Sequence, residues 1–336
     1  MKLPVGVIGL GDAWESRHRP ALRAMSDRFD VVAICAEVGQ LAQQAAGEFE
    51  AAVVEGFRSL VSRDDIEAIL ILSPEWYGPL PILAACRAGK AVYCASALNL
   101  AADRAIEVRE RVEESGIAFM AELPRRHAPA TVRLRELIAS RLGQPWLLLC
   151  HGKDDRSLQD LTRSTASRYR PATGDSQWQT MLELVDWCHY ISDRKVTSVL
   201  GEEHHADRPN KRWKKVQLGF ANGELTAEIF CGRTIPRGWQ EAVSYRSPAA
   251  LQVSCENGVA FLDLPSTLVW FDEAGRHTER LDQDRPVGEQ MLMLFHRRVT
   301  SLVRNTDDLR ATYHALALID AARQSAEEGR RLDLDS

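Results

Sequence analysis

The sequence predicts an α/β protein in two parts: a doubly wound parallel sheet over residues 1–122, then an α+β domain on a mostly antiparallel open sheet over 123–336. Three observations predict it. Residues 5–11, VGVIGLG, are an apolar run broken by a tight glycine turn. Short apolar runs then alternate with helical periods as far as residue 121. After Leu123-Pro124 that alternation stops, and short strands joined by turn residues take over.

In the first part, residues 5–8, 31–35, 68–72, 91–94 and 118–121 read as strands, because each is a short apolar run of the kind a sheet covered on both faces requires. Helical periods fall between them at 21–25, 40–48, 81–88 and 102–114, the last closed by Ser115-Gly116. Repetition of strand, helix, strand means a parallel sheet, with ligands expected beyond the carboxyl ends of the strands. In the second part, helices are expected at 128–140 and 177–191. Strands are expected at 146–150, 197–200, 215–220, 225–230, 242–245, 251–255, 259–262 and 268–271. Asn222-Gly223 and Asn257-Gly258 carry the residues of a type I′ hairpin turn. Helices at 289–304 and 309–328 close the chain, the second stopped by Gly329, and they can pack back on the first domain.

Composition narrows the function. With 336 residues, 45% hydrophobic content and a net charge of −5, the chain has ample core and no overall attraction to nucleic acid or to an anionic membrane. Its apolar runs are strand-length, well short of the ~20 residues a membrane span needs. The seven cysteines are dispersed and form no C-x-x-C pair, which suits buried free thiols and neither a disulfide framework nor a metal site. His204-His205 after Glu202-Glu203 diverge in an extended segment, so no metal is expected there. A cytoplasmic protein with a small-molecule substrate is the expectation.

The glycine turn points to a dinucleotide. In such turns the first glycine permits the bend, the second lets the backbone approach a pyrophosphate, and the third lets the helix pack closely. Gly9, Leu10 and Gly11 fill the first positions, and Trp14 stands at the third. An indole there must push the helix away, swing into the pyrophosphate space, or stack on a different ligand. At the end of the second strand, where an acid bonds the adenosine ribose, the residues are Ala36 and Glu37; an inward Glu37 favours NAD over NADP, while alternation along the strand allows it equally to face solvent. Ser73 and Pro74 follow the fourth strand, and Trp76 beside Tyr77 is placed for a ligand ring to stack.

VGVIGLG, His18-Arg19-Pro20-Ala21-Leu22, Ser73-Pro74, Ala88-Gly89-Lys90-Ala91-Val92, Arg125-Arg126-His127-Ala128-Pro129-Ala130, Ile319-Asp320-Ala321-Ala322 and Ser325-Ala326-Glu327-Glu328-Gly329 occur in that order. In order and spacing these segments resemble the glucose-fructose oxidoreductase and inositol dehydrogenase (Gfo/Idh/MocA) family. The resemblance implies a Rossmann domain, an open-sheet domain that assembles homodimers or homotetramers through its face, NAD or NADP as cofactor, and a sugar or polyol-like substrate.

It also marks departures. Family dehydrogenases carry Glu-Lys-Pro after the fifth strand, the lysine touching the reacting hydroxyl and the cofactor; here the residues are Ala95, Ser96 and Ala97. A second family motif places an aspartate, then a histidine four residues on; here these are Gln179 and Glu183, with the motif's final aspartate kept as Asp186. Glu183 and Asp186 share a helix face and either work as acid and base or line a cleft whose chemistry has gone. Arg125, Arg126 and His127 either hold an anionic substrate or form ion pairs. Lys211, Arg212, Lys214 and Lys215 read as a solvated loop or as protection of an edge strand. Two functions stay open: an oxidoreductase with Glu183 as acid/base, and a non-catalytic ligand-sensing or structural member of the family.

Overall fold

The computed structural model of the chain describes residues 2–11, 13–95, 102–152, 176–204, 213–232, 249–282, 285–301 and 307–334. They form two compact units, Met1–His127 with Arg285–His314, and Ala128–Asp284 with Ala315–Ser336.

In the first unit, β1 (Leu3–Ile8) leads through a widened turn at Trp14–His18 into α1 (Arg19–Ala24), β2 (Phe29–Cys35), α2 (Gly39–Phe49), β3 (Ala52–Val53) and α3 (Phe57–Val61). Next come β4 (Ala68–Ile71), α4 (Pro74–Tyr77), α5 (Leu80–Arg87), β5 (Ala91–Cys94), α6 (Ala102–Ser115), β6 (Phe119–Ala121) and α7 (Pro124–His127). Among the described residues the strands are parallel, in the order β3-β2-β1-β4-β5-β6. Every residue of β4, β5 and β6 is buried, which is why these strands are spelled as unbroken apolar runs. The exposed edge strand β3, two residues long, has no such signature. The strand order reverses between β1 and β4, and the crevice at that point is the ligand site of a doubly wound sheet.

The second unit contains α8 (Pro129–Leu137), β7 (Pro145–Gly152), α9 (Ser176–Ser192), β8 (Val196–His204), β9 (Trp213–Phe220), β10 (Thr226–Gly232), β11 (Leu251–Cys255), β12 (Gly258–Asp263), β13 (Thr267–Asp272) and β14 (Gly275–Arg280). Then α10 (Val287–Thr300) belongs to the first unit; α11 (Asp307–Glu328) and β15 (Leu332–Asp333) complete the chain. The second sheet runs β14-β13-β12-β11-β7-β10-β9-β8-β15, antiparallel except where β10 pairs with β7. Burial alternates strictly along β9 and β10, so one face is covered and the other open.

Two sequence expectations change here. Asn222 and Gly223 both take positive φ, as a type I′ turn requires, but the hairpin at 257–258 turns one residue earlier, on Glu256-Asn257. Gly258 already pairs with Cys255, and a Cβ on it would come within 2.2 Å of the Phe271 carbonyl oxygen. Lys214 is not solvated: it is 1% exposed, paired with Glu203 across β8 and β9, and its ammonium lies 4.5 Å from the Trp178 ring. The strand expected at 242–245 lies outside the described residues.

Candidate functional site

The glycine turn closes the carboxyl ends of three strands around it. The Gly9 N–H donates to the Cys35 carbonyl (2.7 Å) and the Leu72 N–H to Ile8 (2.9 Å), tying β1 to the ends of β2 and β4. Gly9 and Gly11 take φ of +71° and +62°, conformations that cost a residue with a Cβ. A Cβ on Gly11 would stand 2.1 Å from the Leu72 carbonyl oxygen, and one on Gly9 2.5 Å from Ser73 Cβ. Ser73 is therefore packed under the turn. Leu10 and Gly11 remain half-buried, with surface open to a ligand.

Trp14 packs inward. Its indole is 5% exposed and turns into the core, 6.0 Å from the Phe49 ring of α2. The backbone adapts by opening its first helical turn: the His18 N–H reaches back five residues to the Ala13 carbonyl (3.0 Å).

Glu37 is exposed beyond β2, and a group of rings follows β4. Tyr77 packs on Phe57 (4.7 Å) and Trp76 (4.2 Å). The Tyr77 hydroxyl is pushed up chiefly by burial. Phe57 was not legible as a site residue, since nothing in its local sequence separates it from core.

At the other end of the sheet lies a buried polar cluster that sequence reasoning missed. Glu122 follows β6 and is 2% exposed; its N–H donates to the Cys94 carbonyl (2.9 Å), seating it beside the end of β5. Its carboxylate meets Arg17 Nε at 2.6 Å and His18 Nε2 at 2.9 Å. Burial alone would push the Glu122 carboxyl up; the His18 hydrogen bond and charge, the Arg17 charge and the Tyr93 hydroxyl outweigh it and hold it below the ordinary carboxylate range. The available signal was an acid ending an apolar strand at the sheet's ligand edge. Arg125, Arg126 and His127 form α7 and are half-buried.

Glu183 and Asp186 lie on α9 of the second unit, Glu183 half-buried and Asp186 3% exposed. Gln179 stands one turn earlier on the same helix. The helix is fixed by Trp187, whose Nε1 donates to Thr131 Oγ1 (3.1 Å) within the buried core of that unit. Ser96 lies outside the described residues. Among the described residues, no three His, Cys, Asp or Glu side chains are grouped to hold a metal, and no helix is long and apolar enough to cross a membrane.

The left-handed glycines, the open backbone at Leu10 and Gly11, an acid past β2 and aromatic rings past β4 all fit a dinucleotide. Comparison with known proteins agrees with this geometry. Residues 3–122 match the family described as "Oxidoreductase family, NAD-binding Rossmann fold" (GFO_IDH_MocA). Inositol 2-dehydrogenase of Salmonella typhimurium is 27% identical over 207 residues, 59% of this chain; the match spans only 57% of that relative's length. The fold is shared with an NAD binding oxidoreductase from Klebsiella pneumoniae (TM-score 0.81, 16% identity, all of both chains). It is shared also with myo-inositol 2-dehydrogenase from Lactobacillus plantarum (TM-score 0.77, 17% identity, all of both chains). Residues 3–122 thus carry the match to the Gfo/Idh/MocA oxidoreductase family model, and the two-sheet architecture is shared with these solved structures from end to end.

Proposed function

We propose that the chain is an oxidoreductase that binds NAD in preference to NADP and acts on a sugar or polyol-like substrate. The observation that carries the reading is the accessible glycine turn flanked by Glu37 and the Trp76–Tyr77 pair. Glu37 accepts hydrogen bonds from a ribose diol and repels a 2′-phosphate, and residues 36–41 offer no Lys or Arg to bind one. Trp76 gives the adenine a ring to stack on. The polyol assignment draws on the named inositol dehydrogenases among the relatives.

Hydride exchange is the chemistry a bound nicotinamide dinucleotide supplies. The chain's own residues handle the proton and the substrate. Glu183 accepts the hydroxyl proton, and the Ser96 hydroxyl donates one hydrogen bond to the developing alkoxide. Asp186, sharing the Glu183 face, favours the protonated form of its neighbour once the proton has arrived. Gln179, Arg126 and His127 donate to substrate hydroxyls or to an anionic group.

One feature supports a second reading, a ligand-sensing or structural protein without turnover: Ala95-Ser96-Ala97 holds no cation, and the loss of one such preorganised donor commonly costs ~10²–10³ in rate. Calorimetric titration with NADH, NAD⁺, NADPH and NADP⁺, followed by a polyol and sugar screen read by cofactor absorbance, separates the two. Binding with turnover that Glu183→Gln abolishes supports the enzyme. Binding without turnover favours the sensor, and no binding at millimolar dinucleotide overturns both the cofactor and the reaction.

The second sheet's open face is proposed as the surface that pairs two copies of the chain.

A further inference from the structure

The widened turn at Trp14–His18 joins the glycine loop to α1 and is held from several sides within the first unit. Trp14 is locked into the core against Phe49. The stem of Arg17 is packed by α10: a Cβ on Gly288 would stand 2.8 Å from Arg17 Cγ and 2.9 Å from its carbonyl oxygen. The head of Arg17 and the ring of His18 end on the two oxygens of Glu122. The ring of His18 also meets that of Tyr93 edge-on, at 6.4 Å.

A buried carboxylate between a guanidinium and a histidine ring is a poor source of net stability, because desolvation offsets most of the attraction. What it supplies is geometry. A turn five residues wide is an uncommon backbone state that persists where its surroundings over-determine it, and such turns gather at functional sites.

We infer that Glu122 is a positioning residue for pyrophosphate binding: by gripping Arg17 and His18 it fixes the widened turn and with it the approach of the Gly9–Gly11 backbone to the phosphates. The inference rests on the dinucleotide reading above. It assigns Glu122 no contact with the ligand.

The test is titration of the full-length wild type, Glu122→Gln and Arg17→Lys with NADH, ADP-ribose and AMP. AMP probes the adenosine side at Glu37 and Trp76; NADH and ADP-ribose also carry the pyrophosphate. In Glu122→Gln the affinities for NADH and ADP-ribose should fall about tenfold, the size expected from losing a charged hydrogen bond, while AMP affinity stays unchanged. Arg17→Lys keeps a positive charge but moves it off the position 2.6 Å from Glu122, and should show the same split at about threefold; it carries the test if Glu122→Gln does not fold. Equal NADH affinity in wild type and variant overturns the inference and leaves the dinucleotide reading standing. A parallel loss for all three ligands also overturns it, since that is a structural role alone. A wild type that binds neither NADH nor ADP-ribose overturns the dinucleotide reading and the inference with it.

Discussion

Truncating Trp14 removes a 5%-exposed indole packed against Phe49 in the core and leaves a cavity there. Trp14→Ala is expected to cost about 3–5 kcal/mol in urea denaturation; a cost below about 1 kcal/mol would show that the indole does not pack there in solution. Glu122 carries a pH signature of its own. Its folded pKa lies below the unfolded value, so its contribution is present above the unfolded pKa and lost as pH falls through the folded one. As pH falls below about 4, Glu122→Gln should therefore lose less stability than wild type; a steeper loss in the variant would contradict the pairing. Gly9 and Gly11 could be placed from sequence because a left-handed turn at a strand end leaves few choices of residue. The direction of Trp14 could not, since the pocket that accepts it is built by Phe49 on another helix. Glu122 escaped notice for the same reason: its partner His18 lies 104 positions earlier.

The glycine turn as an element depends on close packing as much as on φ. Gly11→Ala must place its Cβ 2.1 Å from a backbone oxygen at a φ of +62°, and neither the strand nor the turn can yield cheaply. A loss of more than about 2 kcal/mol is expected, together with loss of dinucleotide binding. Gly47 in the exposed part of α2 is the control: no atom lies within 4 Å of its Cβ position, and Gly47→Ala should gain about 0.5–1 kcal/mol from helix propensity. Thermal denaturation of the two variants therefore tests packing against conformation at one chemical change, and equal effects would refute the distinction. Legibility of elements follows the same logic of burial. The strands covered on both faces, β4 to β6, announce themselves as apolar runs. The edge strand β14, GRHTER, contains no apolar residue, with Arg276, Thr278 and Arg280 exposed, and it is a strand only because β13 pairs with it. No local pattern encodes that.

At the scale of the whole molecule, the open face of the second sheet does not read as a solvated surface. Along an antiparallel sheet with one wet side, the outward positions should be polar. Here Leu149, Trp213, Phe230, Phe261, Val269 and Phe271 occupy outward positions, and His204, Trp213 and Phe230 stack in a row at 5.6 and 5.9 Å. The cross-strand pair of Lys215 and Glu228 (3.6 Å) sits within this apolar surface. A self-complementary patch of this kind suits a two-fold interface, in which the same face meets itself. A stable interface of that type buries at least ~1,200 Å² in all. Placing one charge at the centre of such a face on each copy puts like charges together without touching the covered core. Phe230→Glu is therefore expected to halve the mass seen by analytical ultracentrifugation at micromolar concentration, with the variant's far-ultraviolet dichroism unchanged. A wild type that sediments as a monomer at that concentration, or a Phe230→Glu variant that keeps the wild-type mass, would remove this face from assembly.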